Sequence, residues 1–217
     1  MANENANFAV CPKCGAAGTV SYPDSRRWVC SACNFNLYNN VAAAVGVIIC
    51  DCAGRVLFEV RAKNPGKGLL TIPGGFVDPN ESAEQAVVRE CREEIGLEPA
   101  AVRFLCSYPN TYEFDHVTYK TCDLFFTARL PETGGDTAES AESAESAESA
   151  ESAESAESDG ERALLGRLTA QQSEVTAFTF ESVASERDIA RLPLAFDSVR
   201  NALRTYAASC HSSSSRI

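Results

Sequence analysis

The pattern of apolar and polar positions along the chain predicts short strands interrupted by helices. Runs rich in β-branched and aromatic residues predict strands over residues 41–49, 56–61, 102–107, 117–128 and 174–180. Apolar residues at helical spacing predict one helix over residues 82–95 and a C-terminal helix whose apolar face holds Phe196, Val199, Leu203 and Tyr206. Strands and helices mixed in this order predict an α/β domain.

The first of these helices has signals at both ends. Ser82 is a predicted N-cap, and Gln85 stands three residues later, as in a capping box. Gly96 suits the left-handed conformation that ends many helices. The helix is therefore predicted from its caps as well as from its periodicity.

Three carboxylates share one face of that helix. Glu90, Glu93 and Glu94 stand at positions i, i+3 and i+4, so their like charges repel unless a cation lies among them. A highly charged set of oxygen ligands suits a hard ion, which indicates Mg²⁺ or Mn²⁺ rather than Zn²⁺. An isolated E-x-x-E-E is more often a solvated acidic face. Here Ile-Pro-Gly-Gly at residues 72–75 precedes the helix, and a loop that leads into a helix start suits a diphosphate.

Two C-x-x-C pairs lie near the start of the chain. Their spacing, with 15 residues between the pairs, is typical of a closed tetrahedral Zn²⁺ site in a zinc ribbon, formed by Cys11, Cys14, Cys30 and Cys33. A closed site leaves no position for chemistry, so a structural role is predicted. Disulfides and a redox pair are the alternatives. Disulfides fit poorly, because residues 1–10 lack the basic and apolar stretches of a secretory signal. We therefore expect a reduced, cytoplasmic protein.

The net charge of −11 arises from one segment. Residues 132–161 hold 11 of the 30 acidic residues and no Lys or Arg, and elsewhere 19 acidic residues balance the 19 Lys and Arg. Ala-Glu-Ser is repeated seven times over residues 138–158, which predicts a low-complexity surface insertion. We predict a zinc ribbon at residues 1–38 and an α/β domain at residues 39–217 that carries this insertion. No apolar run is long enough to span a membrane, so no membrane partner is expected.

Residues 75–97 also carry a family signature. The pattern G-x5-E-x7-R-E-U-x-E-E-x-G-U, where U is apolar, is matched by Gly75, Glu81, Arg89, Glu90, Glu93, Glu94 and Gly96. It resembles the Nudix box of hydrolases that cleave the diphosphate of nucleoside diphosphate derivatives. The resemblance implies an α/β/α sandwich and a Mg²⁺ or Mn²⁺ centre held by Glu90, Glu93, Glu94 and the carbonyl of Gly74. It also implies a structural pair between Arg89 and Glu81.

The wider order of motifs resembles the zinc-ribbon Nudix hydrolases related to NADH pyrophosphatases. Those enzymes carry Ser-Gln-Pro-Trp where this chain has Ser-Tyr-Pro-Asn at residues 107–110, so ADP-ribose stands beside NADH as the expected substrate. Tyr112 and Tyr108 are candidates to stack on a nucleobase, although aromatic residues in strands more often belong to the core. Ser107 belongs to the shared motif. Glu174 is the nearest match to a late glutamate that many Nudix enzymes add.

Three interpretations of the function are open. The first is cation-dependent hydrolysis of NADH or ADP-ribose with water as nucleophile, and the second is a Nudix hydrolase of nucleoside triphosphates or dinucleoside polyphosphates. The third is a non-catalytic zinc-ribbon and Nudix binding module, against which the intact glutamate cluster argues. The charge outside the insertion forms no basic stripe, so a nucleotide is expected as partner and a nucleic acid is not. A homodimer is compatible with the sequence.

Overall fold

The computed structural model describes residues 8–24, 26–51, 53–114, 117–130 and 165–214, with side chains up to residue 210. The predicted insertion at residues 132–161 lies outside the described residues. The chain divides into two compact units, Met1–Val41 and Ala42–Ile217. Each unit has its own sheet structure.

The first unit is a three-stranded antiparallel sheet with a small aromatic centre. Its strands are β1 (Val20–Ser21), β2 (Arg27–Cys30) and β3 (Asn36–Tyr38), with β2 in the middle. Trp28 is 7% exposed, and it packs against the rings of Phe8, edge-on at 5.2 Å, and Tyr22, stacked at 5.1 Å. Such a centre is too small to stabilise a fold alone, so the unit requires a further cross-link.

The second unit contains two three-stranded sheets in its described part. Its strands are β4 (Ala42–Ile49), β5 (Val56–Arg61), β6 (Leu70–Thr71), β7 (Ala100–Phe114), β8 (Val117–Arg129) and β9 (Val175–Glu181). One sheet has the order β4-β8-β7 and the other the order β6-β5-β9. β4 is parallel to β8, and the other described pairs are antiparallel.

Helices pack on both faces of these strands. They are α1 (Ala83–Glu94), α2 (Glu186–Arg191) and α3 (Asp197–Ser214). Leu57 of β5 is buried in one cluster with Val87 of α1, whereas its neighbour Phe58 is buried in another with Leu203 of α3. Successive residues of a strand point to opposite faces, so α1 and the α2–α3 pair cover opposite faces. The predicted α/β/α sandwich is confirmed. None of the described helices is long and apolar enough to cross a membrane.

The ends of α1 match their sequence signals. The hydroxyl of Ser82 accepts a hydrogen bond from the N–H of Gln85 at 3.2 Å, and the side chain of Gln85 accepts one from the N–H of Ser82 at 2.8 Å. Gly96 follows the C-cap Ile95 with φ of +73°, which costs glycine little. The predicted capping box is confirmed, and it fixes the helix that carries the three glutamates.

Strand β7 is longer than the sequence predicts. It continues to Phe114 and pairs with β8 beyond Ser107, including Tyr112 opposite Tyr119. Pro109 is tolerated because β7 lies at the edge of its sheet, where a missing N–H is harmless. Tyr112 therefore stands in a regular strand rather than between two predicted strands. The short helix α2 is also absent from the sequence prediction.

Candidate active site and cysteine cluster

A glycine loop runs from β6 towards α1 beside β4. The carbonyls of Pro73 and Gly75 accept hydrogen bonds from the N–H groups of Val47 at 2.9 Å and Val45 at 2.8 Å. Gly74 lies between them with φ of +148°, and a Cβ atom there would lie 2.1 Å from the carbonyl oxygen of Val45. Only glycine fits this position. Within the described part of the chain, no donor is bonded to the carbonyl of Gly74, which leaves that oxygen available to a ligand.

The loop meets the acidic face of α1. The N–H of Gly74 donates to Glu94 Oε2 at 2.7 Å. A Cβ atom on Gly75 would lie 2.5 Å from Glu90 Oε1. Glu90 and Glu94 are buried, whereas Glu93 is exposed. Glycine backbone and glutamate side chains therefore share one site.

Arg89 binds three carboxylates at this site. Its Nε and Nη2 donate to the two oxygens of Glu81, each at 3.0 Å. Its Nη1 donates to Glu90 Oε1 at 2.7 Å and to Glu93 Oε2 at 3.2 Å. The two hydrogen bonds from Arg89 to Glu81 hold the pKa of Glu81 below its usual value. The resemblance implied the bond to Glu81, and the bonds to Glu90 and Glu93 are additional.

Burial makes the charged form of the inner carboxylates costly. It raises the pKa of Glu94, and the charge of neighbouring Glu59 raises that pKa further. Burial also raises the pKa of Glu90, against the opposing effect of Arg89. Glu59 is 1% exposed, and its Oε1 has no hydrogen-bond partner among the described residues. Oxygen ligands with this much negative charge fit a hard divalent cation such as Mg²⁺ or Mn²⁺.

The carboxylates are nevertheless not gathered around one point. Among the described residues, only cysteines form a group of three or more potential ligand atoms within 4.8 Å of one another. Arg89 holds Glu90 and Glu93 in their present positions. A single cation that binds all three glutamates would therefore require their side chains to move.

A cavity of about 420 Å³ adjoins the carboxylates. Part of its lining is acidic and is formed by the glycine loop and α1, and another part is aromatic and is formed by Phe76, Tyr112, Phe114 and Phe196. The ring of Tyr112 lies 5.5 Å from that of Phe76 and 5.8 Å from that of Phe196. The guanidinium of Arg61 lies 5.0 Å from the centre of the Phe196 ring. A volume of several hundred Å³ suits a small-molecule ligand, and exposed rings suit a nucleobase.

A further buried carboxylate lines the same cavity. Asp123 of β8 accepts hydrogen bonds at both oxygens, from Thr121 Oγ1 at 2.6 Å and from Ser198 Oγ at 2.7 Å. These two bonds offset the cost of burying it. Two buried carboxylates therefore differ in their hydrogen bonding. Asp123 accepts hydrogen bonds from hydroxyl groups at both oxygens, whereas Glu59 has one oxygen without a described partner.

The four N-terminal cysteines form a separate cluster. Their Sγ atoms all lie within 4.8 Å of one another, with Cys11 and Cys33 at 3.8 Å and Cys14 and Cys30 at 3.9 Å. Sulfurs joined in a disulfide lie about 2.0 Å apart. Sulfurs on one tetrahedral Zn²⁺, with bonds of about 2.3 Å, lie about 3.8 Å apart. The donor set therefore fits zinc and does not fit disulfides.

Tight turns hold each cysteine pair. The N–H of Gly15 donates to the carbonyl of Cys11, and the N–H of Asn34 donates to the carbonyl of Cys30, both at 2.9 Å. Gly15 and Asn34 have φ of +74° and +57°, conformations that these residue types adopt at low cost. The hydroxyl of Thr19, 3.2 Å from Cys30 Sγ, lowers the pKa of that thiol to about 6. The turns hold each pair of sulfurs together, and this hydroxyl favours the thiolate form of Cys30, the form that binds metal.

Replacing Cys14 with serine is expected to remove the metal and unfold the first unit. The aromatic centre around Trp28 cannot hold the small sheet without the cross-link. Zinc, measured by elemental analysis, should fall from about one per chain to nearly none. The chain contains one tryptophan, so its fluorescence should shift to that of an exposed indole. Cys122→Ser, at a half-buried position in β8, is the control and should keep its zinc. A Cys14→Ser protein with full zinc content and native fluorescence contradicts this prediction.

A family model described as a NUDIX domain matches residues 41–172, more than half of the chain. The chain belongs to the Nudix family. The matched segment contains the glycine loop, all of α1 and most of the cavity lining.

Curated relatives share the Nudix core over part of their length. An ADP-ribose pyrophosphatase from Methanocaldococcus jannaschii is 43% identical over 74 residues, which cover 34% of this chain and 43% of that protein. The NAD-capped RNA hydrolase NudC from Deinococcus radiodurans is 34% identical over 127 residues, which cover 57% of this chain and 42% of that protein. An RNA pyrophosphohydrolase from Haemophilus influenzae is 48% identical over 61 residues, which cover 28% of this chain and 30% of that protein. The chain therefore spans less than half the length of each of these relatives.

Solved structures share the Nudix fold. A Nudix hydrolase from Nitrosomonas europaea has a TM-score of 0.58 and 21% identity, over 94% of this chain and 93% of that chain. The Nudix domain of Shewanella oneidensis NrtR, solved with ADP ribose, has a TM-score of 0.52 and 19% identity, over 80% of this chain and 90% of that chain. At these identities the likeness concerns the fold alone.

The predicted substrate contacts of the Nudix domain fall into two groups. Tyr112 and Glu174 line the cavity, Tyr112 from β7 and Glu174 from the residue before β9. Ser107 and Tyr108 are not part of the lining formed by the described residues. Ser107 is exposed on the other face of β7, and the hydroxyl of Tyr108 lies 2.7 Å from Thr205 Oγ1 of α3. Ser107 and Tyr108 therefore lie outside the described lining, and their role as substrate contacts stays a prediction.

Three lining residues of the Nudix cavity carried little signal in the sequence. Arg61 is the last residue of the predicted strand over residues 56–61, which assigns it no role, and Phe196 was predicted to lie on the apolar face of the C-terminal helix. Asp123 is an acidic residue within an apolar strand, and the strand pattern alone assigns it no role. Glu59, outside the described lining, is a second such residue. The surroundings of each depend on contacts between distant segments.

Proposed function

We propose that this Nudix chain is a divalent-cation-dependent hydrolase that cleaves the diphosphate linkage of a nucleoside diphosphate derivative. The observation that supports it most is the shared cavity, which is lined by the carboxylates of α1 and by the aromatic rings of β7 and of Phe196, the residue before α3. A diphosphate needs charge neutralisation, and a nucleobase needs a flat apolar surface. The cavity offers residues suited to both.

We assign the cation to Glu90, Glu93, Glu94 and the carbonyl of Gly74. Bound there, Mg²⁺ or Mn²⁺ would neutralise charge on the diphosphate. It would also lower the pKa of a water molecule, so that the resulting hydroxide could attack phosphorus. Arg89 joins Glu81 to Glu90 and Glu93, so it acts as a positioning residue. Arg61 and Arg89 are the basic residues in the described lining. Because Arg89 is occupied by carboxylates, Arg61 is the group that would contact a phosphate oxygen.

Within this class we propose ADP-ribose or NADH as the substrate. The M. jannaschii relative is named an ADP-ribose pyrophosphatase, and the D. radiodurans relative a hydrolase of NAD-capped RNA. Both names concern an adenosine diphosphate linkage. The aromatic group around Tyr112 would take the adenine, and Glu174 lies in the same lining.

Replacing Tyr112 with alanine is expected to raise KM about tenfold and to leave kcat nearly unchanged, because base stacking is equal in the ground and transition states. Steady-state kinetics with ADP-ribose and Mg²⁺ measure both constants. Phe104→Ala is the control, since Phe104 is 59% exposed on the same strand and outside the described cavity lining. A fall in kcat with constant KM would place Tyr112 in the chemical step instead.

A substrate panel tests the proposal. It contains ADP-ribose, NADH, NAD⁺, diadenosine polyphosphates, coenzyme A, nucleoside triphosphates and NAD-capped RNA, with products identified by chromatography. We expect AMP from ADP-ribose, NADH and NAD⁺, with the highest kcat/KM for one of the first two. Preference for triphosphates with release of pyrophosphate, or for RNA, would replace the proposed substrate. No turnover of any member would favour a binding module.

We also propose one structural Zn²⁺ in the cysteine cluster and a cytoplasmic location. The described cysteines are all free thiols, which persist in a reducing compartment. The homodimer stays a prediction, and light scattering of the purified protein measures it directly.

A further inference from the structure

Glu59 occupies a costly position for a carboxylate. It lies in the middle of β5, opposite Thr71 of β6 and Phe178 of β9, and β5 is the central strand of its sheet. Its side chain is 1% exposed. A buried carboxylate without a partner costs several kcal/mol in general, so folds keep one only where something compensates for it.

Strand geometry directs Glu59 towards α1. Leu57 is buried in the cluster that contains Val87 and Cys91 of α1, and Phe58 is buried in the cluster on the other face. Since side chains alternate along a strand, Glu59 shares the face of Leu57. The buried glutamates of α1, Glu90 and Glu94, lie on that side. The charge of Glu59 is also the largest neighbouring charge that raises the pKa of Glu94.

No described group satisfies Glu59. Its Oε1 is the one buried side-chain oxygen or nitrogen in the described part of the chain without a hydrogen-bond partner. Arg61 is the nearby positive charge, and Glu90 and Glu174 are nearby negative charges. The Nε of Arg61 donates to the carbonyl of Pro65 at 2.7 Å, and its guanidinium lies over Phe196. The negative charges near Glu59 therefore outnumber the positive ones.

Asp123 shows what a structurally satisfied carboxylate looks like in this fold. It is buried in the same domain, and both of its oxygens accept hydrogen bonds from hydroxyl groups. Glu59 has no such hydroxyl donor at Oε1 among the described residues. A structural role therefore explains Asp123 and does not explain Glu59.

We propose that Glu59 is a fourth carboxylate of the cation centre, supplied by β5 from outside the Nudix box, and that its buried oxygen faces the divalent cation held by Glu94. The proposal rests on the proposed function, because it uses the same cation. It pairs Glu59 first with Glu94, and the remaining carboxylates would join the cation by moving their side chains, because the described carboxylate oxygens form no group of three within 4.8 Å. The bound cation provides the positive charge that the protein alone does not.

Cation binding and stability of the full-length, zinc-loaded protein test the proposal together. Binding of Mn²⁺ is measured by electron paramagnetic resonance, and melting temperature is measured with and without Mg²⁺. Glu59→Gln should weaken Mn²⁺ binding about tenfold or more. It should also raise the melting temperature of the cation-free protein, because it removes a buried carboxyl group that has an unpartnered oxygen. It should reduce the rise in melting temperature that Mg²⁺ produces. Glu181→Gln, in the neighbouring strand β9, is the control and should change neither quantity.

Opposite results overturn the proposal. A Glu59→Gln protein that binds Mn²⁺ like the wild type, or that melts earlier without cation and keeps its affinity, shows a purely structural glutamate. If Glu59→Gln does not fold, Glu59→Met provides the same two measurements, and failure of both variants to fold also rejects the proposal. Glu94→Gln distinguishes failure of the Glu59 proposal from failure of the proposed cation site. If Glu94→Gln loses Mn²⁺ binding and Glu59→Gln keeps it, only the Glu59 proposal fails. If both variants bind Mn²⁺ like the wild type, the proposed cation site fails as well.

Discussion

Replacing Glu94 with glutamine is expected to lower kcat about a hundredfold or more, equivalent to about 2.7 kcal/mol of transition-state stabilisation. Glu94 is 6% exposed and accepts a hydrogen bond from the N–H of Gly74 at 2.7 Å. Glutamine has nearly the same size, so the glycine loop and α1 should keep their positions. The variant removes one negative charge from the proposed cation site. The cation should then be bound more weakly and positioned less well, so it should stabilise the developing charge less.

Kinetics at saturating substrate and Mg²⁺ measure this effect, and circular dichroism establishes that the variant is folded. Glu84→Gln is the matched control, since Glu84 is exposed in the first turn of the same helix. The control should retain the wild-type kcat. A folded Glu94→Gln enzyme with wild-type kcat would remove Glu94 from the cation site.

Replacing Gly74 with alanine is expected to lower the free energy of unfolding by about 3 kcal/mol or more. Gly74 has φ of +148°, and an added Cβ would lie 2.1 Å from the carbonyl oxygen of Val45 and 2.8 Å from Cα of Gly46. Both atoms belong to the backbone of β4, which is held in its sheet and cannot yield cheaply. The loop must move instead, so the hydrogen bond from Gly74 to Glu94 should also be lost.

Urea unfolding of the purified protein measures the change in free energy. Gly54→Ala is the matched control, because Gly54 has φ of +77° but an added Cβ there would have no atom within 4 Å. Backbone strain alone should cost this control about 1–2 kcal/mol. If the two variants lose equal stability, steric contact with β4 does not govern the position of the glycine loop.

Local signals in the sequence were sufficient to predict helix α1 and the cysteine cluster. The helix around Glu90 has a capping box, an apolar stripe and a terminal glycine, and the structure contains all three. The cysteine spacing was likewise sufficient to bring the four sulfurs together, because two tight turns place each pair. In both cases the determining contacts join residues that are close in sequence or are fixed by a short motif.

Features that depend on distant segments could not be predicted in the same way. The length of β7 is set by pairing with β8, so the local pattern ended the strand too early at Ser107. The contact between Arg61 and Phe196 joins β5 to the residue before α3. Glu59 looks like a polar position in a strand until the packing of α1 shows that the strand is covered on that face. The cavity lining was therefore less predictable than the motif on α1.

The most direct measurement is chromatography of the products formed from ADP-ribose by the wild-type protein, with Mg²⁺ and with a chelator that removes it. We predict AMP and ribose 5-phosphate in equal amounts when Mg²⁺ is present and no turnover in the chelator. Loss of turnover should be reversed when Mg²⁺ is restored in excess. Equal turnover with and without the cation, or absence of AMP under both conditions, would contradict the assignment of this cavity to cation-dependent cleavage of a nucleoside diphosphate.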